Sequence, residues 1–167
     1  MLRLWLIALF SLSLISCSEY PGNIQDSGVK LTQRPSWGDS PGNEIPIGGD
    51  CHIDSINDQP GEGPPNYTVK RSGAGLNVAG WCAISVTKGI MASDIALALK
   101  MKSSQSTRLY AAVSKVPRQD VADHFKNKAS VNTGFKAIID MSDVSPGDYV
   151  LEVIQHKDGK VYKCQYS

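Results

Sequence analysis

From residue 51 onward, apolar and polar residues alternate in short runs that turn-forming residues separate. In one such run, Ile95, Leu97, Leu99 and Met101 all fall on the same face. Alternation of this kind over four to eight residues is typical of a half-buried β-strand. It predicts seven strands, over residues 52–57, 76–83, 94–101, 108–114, 135–141, 149–155 and 161–166. Seven short strands with turns between them indicate an all-β fold, an antiparallel β-sandwich.

The rest of the chain has weaker patterns. Residues 119–126 form one short helical segment, which we expect to be a single crossover turn. Residues 58–73, rich in Pro and Gly, are predicted to be a long loop. In residues 18–50, ten of 33 positions are Gly or Pro and no apolar period is visible, so we predict a flexible linker in which Trp37 is an isolated, exposed aromatic.

The turn before the sixth strand is informative. Ser145-Pro146-Gly147-Asp148-Tyr149 places a tyrosine at the start of that strand, directly after a turn. This resembles the tyrosine corner of immunoglobulin-like sandwiches, whose hydroxyl bonds a nearby backbone group. We expect that group within residues 142–144. Trp81, in the second strand, is a natural core aromatic.

The N-terminus has the pattern of an export signal. Arg3 is followed by an apolar run over residues 4–15, too short for a membrane-spanning helix. Leu14-Ile15-Ser16-Cys17 resembles the lipobox of bacterial lipoproteins. That resemblance implies cleavage before Cys17 and three acyl chains on it, enough for stable membrane anchoring. Because residue 18 is Ser and not Asp, the lipoprotein sorting rule favours the outer membrane, facing the periplasm; a Gram-positive host would change this localisation.

These features divide the chain into a signal peptide (residues 1–16), a lipidated cysteine with its linker (17–50) and an immunoglobulin-like β-sandwich (51–167). Cleavage would leave 16 basic and 16 acidic side chains. Such a balance, without a basic stripe, argues against a nucleic-acid partner. The three histidines, at positions 52, 124 and 156, lack metal-ligand spacing, so we expect neither metal nor cofactor.

Three cysteines remain besides Cys17, namely Cys51, Cys82 and Cys164. An exported chain meets an oxidising compartment, so we expect one disulfide and one leftover cysteine, either buried or reactive. Cys51 begins the first predicted strand and Cys82 ends the second. These two would be neighbours if the strands pair in antiparallel fashion.

A wider resemblance covers residues 51–167. Its motifs, in order, are residues 51–57, Gly80-Trp81, residues 118–122, Thr133-Gly134-Phe135, residues 146–149 and Cys164. Together they resemble a bacterial immunoglobulin-like module, found as a periplasmic appendage of surface-polysaccharide glycosyltransferases and in small exported proteins. The resemblance implies cysteines in the first and last strands, hence a Cys51–Cys164 disulfide. It implies no catalytic residues, and Cys82 stands where the pattern usually has Ala.

Candidate ligand-binding residues are Arg118 and Asp120, which flank a predicted turn. The alternative is structural: Asp120 caps the following turn, and Arg118 covers a strand or pairs with a carboxylate. Asp54 and Asn57 could also bind a ligand, but we expect them to satisfy backbone groups of the loop. Asp140, Asp143 and Asp148 match no calcium-loop spacing. Lys100, Lys115 and Lys163 are predicted to protect edge strands from pairing with other chains.

No phosphate loop, nucleophile elbow or oriented Cys/His pair occurs in the sequence, and we expect no enzyme. The sequence favours a lipid-anchored, non-catalytic envelope module that recognises an envelope protein or a surface glycan. One alternative is a structural lipoprotein of the envelope, or one that excludes phage or conjugation. Another is a small glycan-active enzyme, which would need a cleft between two carboxylates drawn from Asp54, Asp120 and Asp140.

Overall fold

The computed structural model describes residues 28–38, 44–61, 67–71, 73–103 and 108–166. The predicted signal peptide and the proposed lipidation site, Cys17, lie outside the described residues. Within them, no helix is long and apolar enough to cross a bilayer.

The described chain is built mainly of β-strands, which confirms the all-β prediction. The strands are β1 (Val29–Lys30), β2 (Ile47–Ile56), β3 (Gln59–Pro60), β4 (Tyr67–Lys70), β5 (Gly75–Ala83), β6 (Asp94–Met101), β7 (Arg108–Ala112), β8 (Ser114–Val116), β9 (Gly134–Asp140), β10 (Asp148–Lys157) and β11 (Lys160–Tyr166). Helix α1 (Gln119–His124) and a 3₁₀ helix, Lys128–Thr133, lie between β8 and β9.

All of these strands join one hydrogen-bonded sheet in the order β1-β9-β5-β2-β11-β10-β6-β7, with β3, β4 and β8 attached at its sides. Pairing is antiparallel except for β1 with β9 and β2 with β11. Just after β1, the backbones of Thr32 and Tyr110 exchange two hydrogen bonds, of 2.9 and 2.7 Å. This bridge to β7 brings the two ends of the strand order together, so the sheet curls around its core.

The inner face of the sheet holds the main core. Its fully buried aliphatic and aromatic side chains include Ile53, Leu97, Phe135, Ile139 and Leu151. The Cys51–Cys164 disulfide lies in this core and links β2 to β11, as the resemblance predicted. Cys82 is free and buried, and burial raises the pKa of its thiol well above the usual range.

The alternative partner of Cys51 is directly beside it. In the antiparallel β2–β5 pair, Cys51 stands opposite Cys82. Cys82 is therefore the neighbour of Cys51 that strand pairing predicted. The disulfide nevertheless joins Cys51 to Cys164 of β11, on the other side of β2.

One part of the outer face is covered by the helical region. Trp81, Ala83 and Val86 pack against Val121 of α1 and against Phe125. The Trp81 and Phe125 rings meet edge to face, with centroids 5.6 Å apart. Helix α1 is thus a packed cover and more than the single crossover turn we predicted.

The opposite part of the outer face is covered by residues that we predicted as flexible linker. Ile45, 7% exposed, and Trp37 pack on Ala96, Ala98, Tyr110 and Ile154. The Trp37 ring also stacks on His156, with centroids 5.4 Å apart. Trp37 is therefore not an isolated exposed aromatic. The apolar residues here lack a period because they cover a surface and do not form one face of a strand.

The described residues form eleven strands where the sequence predicted about seven. β1 and β3 are two residues long, β8 has three residues and β4 has four, so none offers a measurable alternation. β3 and β4 fall within the predicted loop over 58–73. The strand predicted over 108–114 divides at Val113, because β7 pairs with β6 whereas β8 pairs with β9. An immunoglobulin-like sandwich stays a prediction.

The turn before β10 closes as a tyrosine corner would. The Tyr149 hydroxyl donates to the Ser145 carbonyl at 2.7 Å. The acceptor lies one residue beyond the predicted stretch, and the buried ring fixes the entry of the chain into β10.

Candidate functional site

Arg118 brings two of the predicted site residues together. Its Nε and Nη2 donate to the two carboxylate oxygens of Asp120 at 2.8 and 2.6 Å, and its Nη1 donates to Asp54 Oδ2 at 2.5 Å. The hydrogen bonds from Arg118 are the main cause that lowers the pKa of Asp120 to about 2. The bonds to Asp120 in turn raise the pKa of Arg118 above its usual range.

Local backbone geometry makes this cluster possible. Asp54 lies at an irregularity in the β2–β5 register, between Ile53 and Ser55. Gly134 leaves the space that the Arg118 side chain occupies. A β-carbon at position 134 would come within 2.5 Å of Arg118 Cγ and 2.3 Å of the Val116 carbonyl oxygen. A side chain at position 134 would displace the arginine.

The outcome for the structural alternative is mixed. Arg118 does pair with carboxylates, as that interpretation proposed. Asp120 does not cap α1, since the N-cap residue is Arg118 and makes no side-chain cap bond. Asp120 lies within the first turn, where the guanidinium occupies both of its oxygens. The Asn57 side chain accepts a hydrogen bond from the Asn77 backbone N–H at 2.9 Å, so it serves a backbone group, as we expected.

The third carboxylate proposed for an enzyme does not join this cluster. Asp140 lies at the far end of β9 and pairs with Lys30, which also bonds Asp143; both contacts are 2.9 Å. Hydrogen bonds from Ser142 and Lys30 lower the pKa of Asp140 below its usual range. Among the described residues, no group of three His, Cys, Asp or Glu side chains is placed to hold a metal ion.

A second candidate site is a groove of about 470 Å³ on the outer face, which the sequence did not reveal. One wall is the covering segment, with Pro46 and Ile47 exposed; 64% of Ile47 is accessible. The base is formed by charged side chains of four adjacent strands, β11, β10, β6 and β7.

An ion pair lies at the base of this groove. Arg108 Nε donates to Glu152 Oε2 at 2.7 Å, and the two side chains are only 8% and 7% exposed. Lys163 Nζ approaches the other oxygen of Glu152 at 3.6 Å. Because a buried charge is tolerated only when it is paired, the pair fixes both side chains in place.

The two lysines of the groove do not lie on edge strands. Lys100 is in β6 and Lys163 is in β11, and each of these strands has a neighbour on both sides. Edge protection was therefore the wrong prediction for these two lysines. Lys115 is in the short side strand β8, and its Nζ bonds the Ser93 carbonyl at 3.0 Å.

No protein-family model matches the chain, and neither curated proteins nor solved structures give a match. Its function is therefore inferred from its own residues.

Proposed function

We propose that this protein is a lipid-anchored, non-catalytic module of the cell envelope that recognises an envelope protein or a surface glycan. The observation that carries the proposal is the groove on the disulfide-closed sheet. In it a buried ion pair lies beside exposed apolar side chains and half-buried lysines. Concave sites of roughly 300–1,000 Å³ are typical of ligand binding. The lipobox-like sequence at Cys17 supports the envelope location.

Recognition accounts for the arginine cluster better than catalysis does. A glycosidase needs one carboxylic acid that keeps its proton near neutral pH, so the pKa of that group must be raised. Arg118 does the opposite to Asp120. This electrostatic effect favours a structural or binding role for Asp120.

We also propose that the fold is an immunoglobulin-like sandwich. The bond from Tyr149 to Ser145 and the disulfide between an early strand and the last one support this assignment. Amide hydrogen exchange is the test. Faster exchange along the β2–β11 pair than along β5 and β10 would agree with two packed sheets that part there, whereas equal protection across these strands would contradict the proposal.

Affinity capture from envelope extracts tests the recognition role. The detergent-solubilised native lipoprotein, a Lys100→Glu variant and a Lys160→Gln control are immobilised in parallel. Lys160 is exposed at the start of β11 and does not line the groove. We expect a glycan or protein that the native chain and the control retain and the Lys100 variant loses. Retention of nothing, or equal retention by all three, would contradict the proposal.

The anchor has its own test. The intact mass of the membrane-extracted protein should show a chain that begins at Cys17 and carries three acyl groups. A chain of unmodified mass would overturn the proposed localisation and leave the groove's binding role to be judged by capture alone.

A further inference from the structure

We infer that the groove binds a carboxylate-bearing sugar unit, so the module recognises acidic glycans. The inference rests on the proposed recognition function and narrows it to one ligand class. It starts from the charges that meet in the groove, which are those of Glu44, Lys100, Arg108, Glu152 and Lys163. Three cations face two carboxylates, which leaves one net positive charge.

The strand register arranges most of these charges in a row across the sheet. Lys163 stands opposite Ile154, two residues from Glu152 on β10. Glu152 stands opposite Ala98, two residues from Lys100 on β6. Lys100 stands opposite Arg108 on β7. Residues two apart on a strand share a face, so these four side chains point outward from adjacent strands.

Two cations in this row are available to a ligand. Arg108 is held by Glu152 at 2.7 Å, whereas Lys163 Nζ lies 3.6 Å from the same carboxylate, too far for a hydrogen bond. Lys100 is half-buried, and its Nζ has no hydrogen-bond or ion-pair partner among the residues that the structure describes. A partly desolvated ammonium gains most from an anionic partner, and charge-assisted hydrogen bonds are about twice as strong as neutral ones.

The shape of the groove favours a small ligand over a protein surface. A stable protein interface involves roughly 20–30 residues on each side, whereas eight described residues line this groove, which encloses about 470 Å³. That volume fits one or two sugar rings. Exposed Pro46 and Ile47 offer apolar contact to the C–H face of a pyranose, while Lys100 and Lys163 flank the position of its carboxylate.

The test measures binding to the full detergent-solubilised chain by isothermal titration calorimetry. The probe is digalacturonic acid, and the matched ligand control is its dimethyl ester, which keeps the sugar rings and removes the charge. We expect the acid to bind and the ester to bind at least tenfold more weakly. Raising NaCl from 50 to 500 mM should weaken binding of the acid, since both lysines are partly accessible to solvent.

Protein variants locate the site. Lys100→Gln and Lys163→Gln should each weaken binding of the acid about tenfold, the loss expected for one charge-assisted hydrogen bond. Lys160→Gln should leave it unchanged. Circular dichroism identifies a variant that fails to fold. If one of the two lysine variants fails, the other still tests whether the groove binds the acid.

Three results would overturn the inference. They are no binding of the acid by the native chain, equal binding of acid and ester, and competition by inorganic phosphate at least as strong as by the acid. The last would indicate a general anion site. If envelope capture still depends on Lys100 in any of these cases, the recognition function stands and only the ligand class is wrong.

Discussion

Arg118 satisfies two carboxylates that reach it from very different places in the chain. Asp120 is two residues away, and Asp54 is 64 residues away on β2. The arginine side chain is only 20% exposed, so its positive charge depends on these partners. It therefore fixes the start of α1 against the sheet and couples that contact to pH.

Replacing Arg118 with Gln should destabilise the fold by about 1 kcal/mol at pH 7, as expected for a partly exposed ion pair. The folded-state pKa of Asp120 is lowered to about 2. Its contribution to stability is therefore fully present above the unfolded pKa, near 3.9, and is lost as the pH falls through about 2. Urea unfolding should show a smaller difference in the free energy of unfolding between the native chain and the Arg118→Gln variant at pH 2 than at pH 7.

Arg71→Gln is the matched control for this pH effect. Within the described part of the chain, the Arg71 side chain donates only to the neutral carbonyls of Met141 and Ser142, at 3.2 and 3.0 Å. Its replacement should cost a similar free energy at both pH values. If the Arg118 and Arg71 variants respond to pH in the same way, the carboxylate pairing is not what stabilises the cluster.

Gln155 is a polar residue within the core. Its side chain is fully buried, and neither amide atom has a hydrogen-bond partner among the described residues. An unsatisfied buried amide costs about 1–3 kcal/mol, whereas an apolar side chain of the same shape avoids that cost. Gln155→Met should therefore raise the free energy of unfolding by about 1 kcal/mol in urea titration. Gln155→Ala should lower it, because it leaves a cavity. A destabilised Met variant would show that the amide is hydrogen-bonded in solution.

At the level of elements, β2 has a cysteine-bearing strand on each side. Cys51 bonds Cys164 of β11 and stands opposite Cys82 of β5. Opposed residues in antiparallel strands have Cα atoms about 4.5–5.5 Å apart, within the range that a disulfide spans. The fold therefore offers Cys51 two partners.

Cys164→Ala should redirect the disulfide. We expect peptide mapping of the oxidised variant, without reduction, to recover Cys51 joined to Cys82. The variant should keep its fold, because the new bridge links strands that are already paired. The double variant Cys51→Ala/Cys164→Ala should lose about 4–5 kcal/mol in urea unfolding, the loop-entropy value for so long a loop. Two free thiols in the single variant would contradict the expected exchange.

Long strands were predictable from alternation, and short or covering elements were not. β6 begins and ends where the alternation of apolar residues predicted, because one face of the strand is buried along its whole length. β1 and β3 have two residues each, too few for any period. The division at Val113 depends on which strand each half pairs with, and that information is tertiary.

The candidate sites follow the same rule. The sequence selected Arg118, Asp120 and Asp54 because turns and first strands carry recognisable polar positions. It could not find the groove, since one wall belongs to the segment predicted as linker and four of the five charged residues come from four different strands. Glu152 occupies a position of β10 where the alternation predicts an exposed side chain. It is only 6% exposed because the covering segment and Arg108 lie over this part of the sheet.

On the scale of the whole molecule, residues 28–38 and 44–50 belong structurally to the sheet. They supply β1, the first residues of β2 and the cover over Ala96, Ala98, Tyr110 and Ile154. A domain cut at residue 51 would expose that apolar patch. It would also remove the Asp50 carboxylate that accepts the Val86 backbone N–H at 2.8 Å.

A chain that begins at Cys51 should therefore be less stable than one that begins at Gly28. We expect a loss of at least about 3 kcal/mol, since burial of Ile45 and Trp37 alone contributes roughly that much. Urea unfolding of the two chains at equal concentration is the measurement. Equal midpoints would show that the covering segment adds nothing to stability, and would restore the boundary predicted from sequence.

The early entry of the chain into the sheet limits how far the module can stand from a membrane. If Cys17 is the lipid anchor, eleven Cα–Cα steps separate it from Gly28, and whatever their conformation they span at most about 40 Å. A linker that ran to Cys51 would reach about 120 Å. The module would then stay within a thin layer beside the bilayer. A glycan could enter the groove only where the glycan itself comes close to the membrane surface.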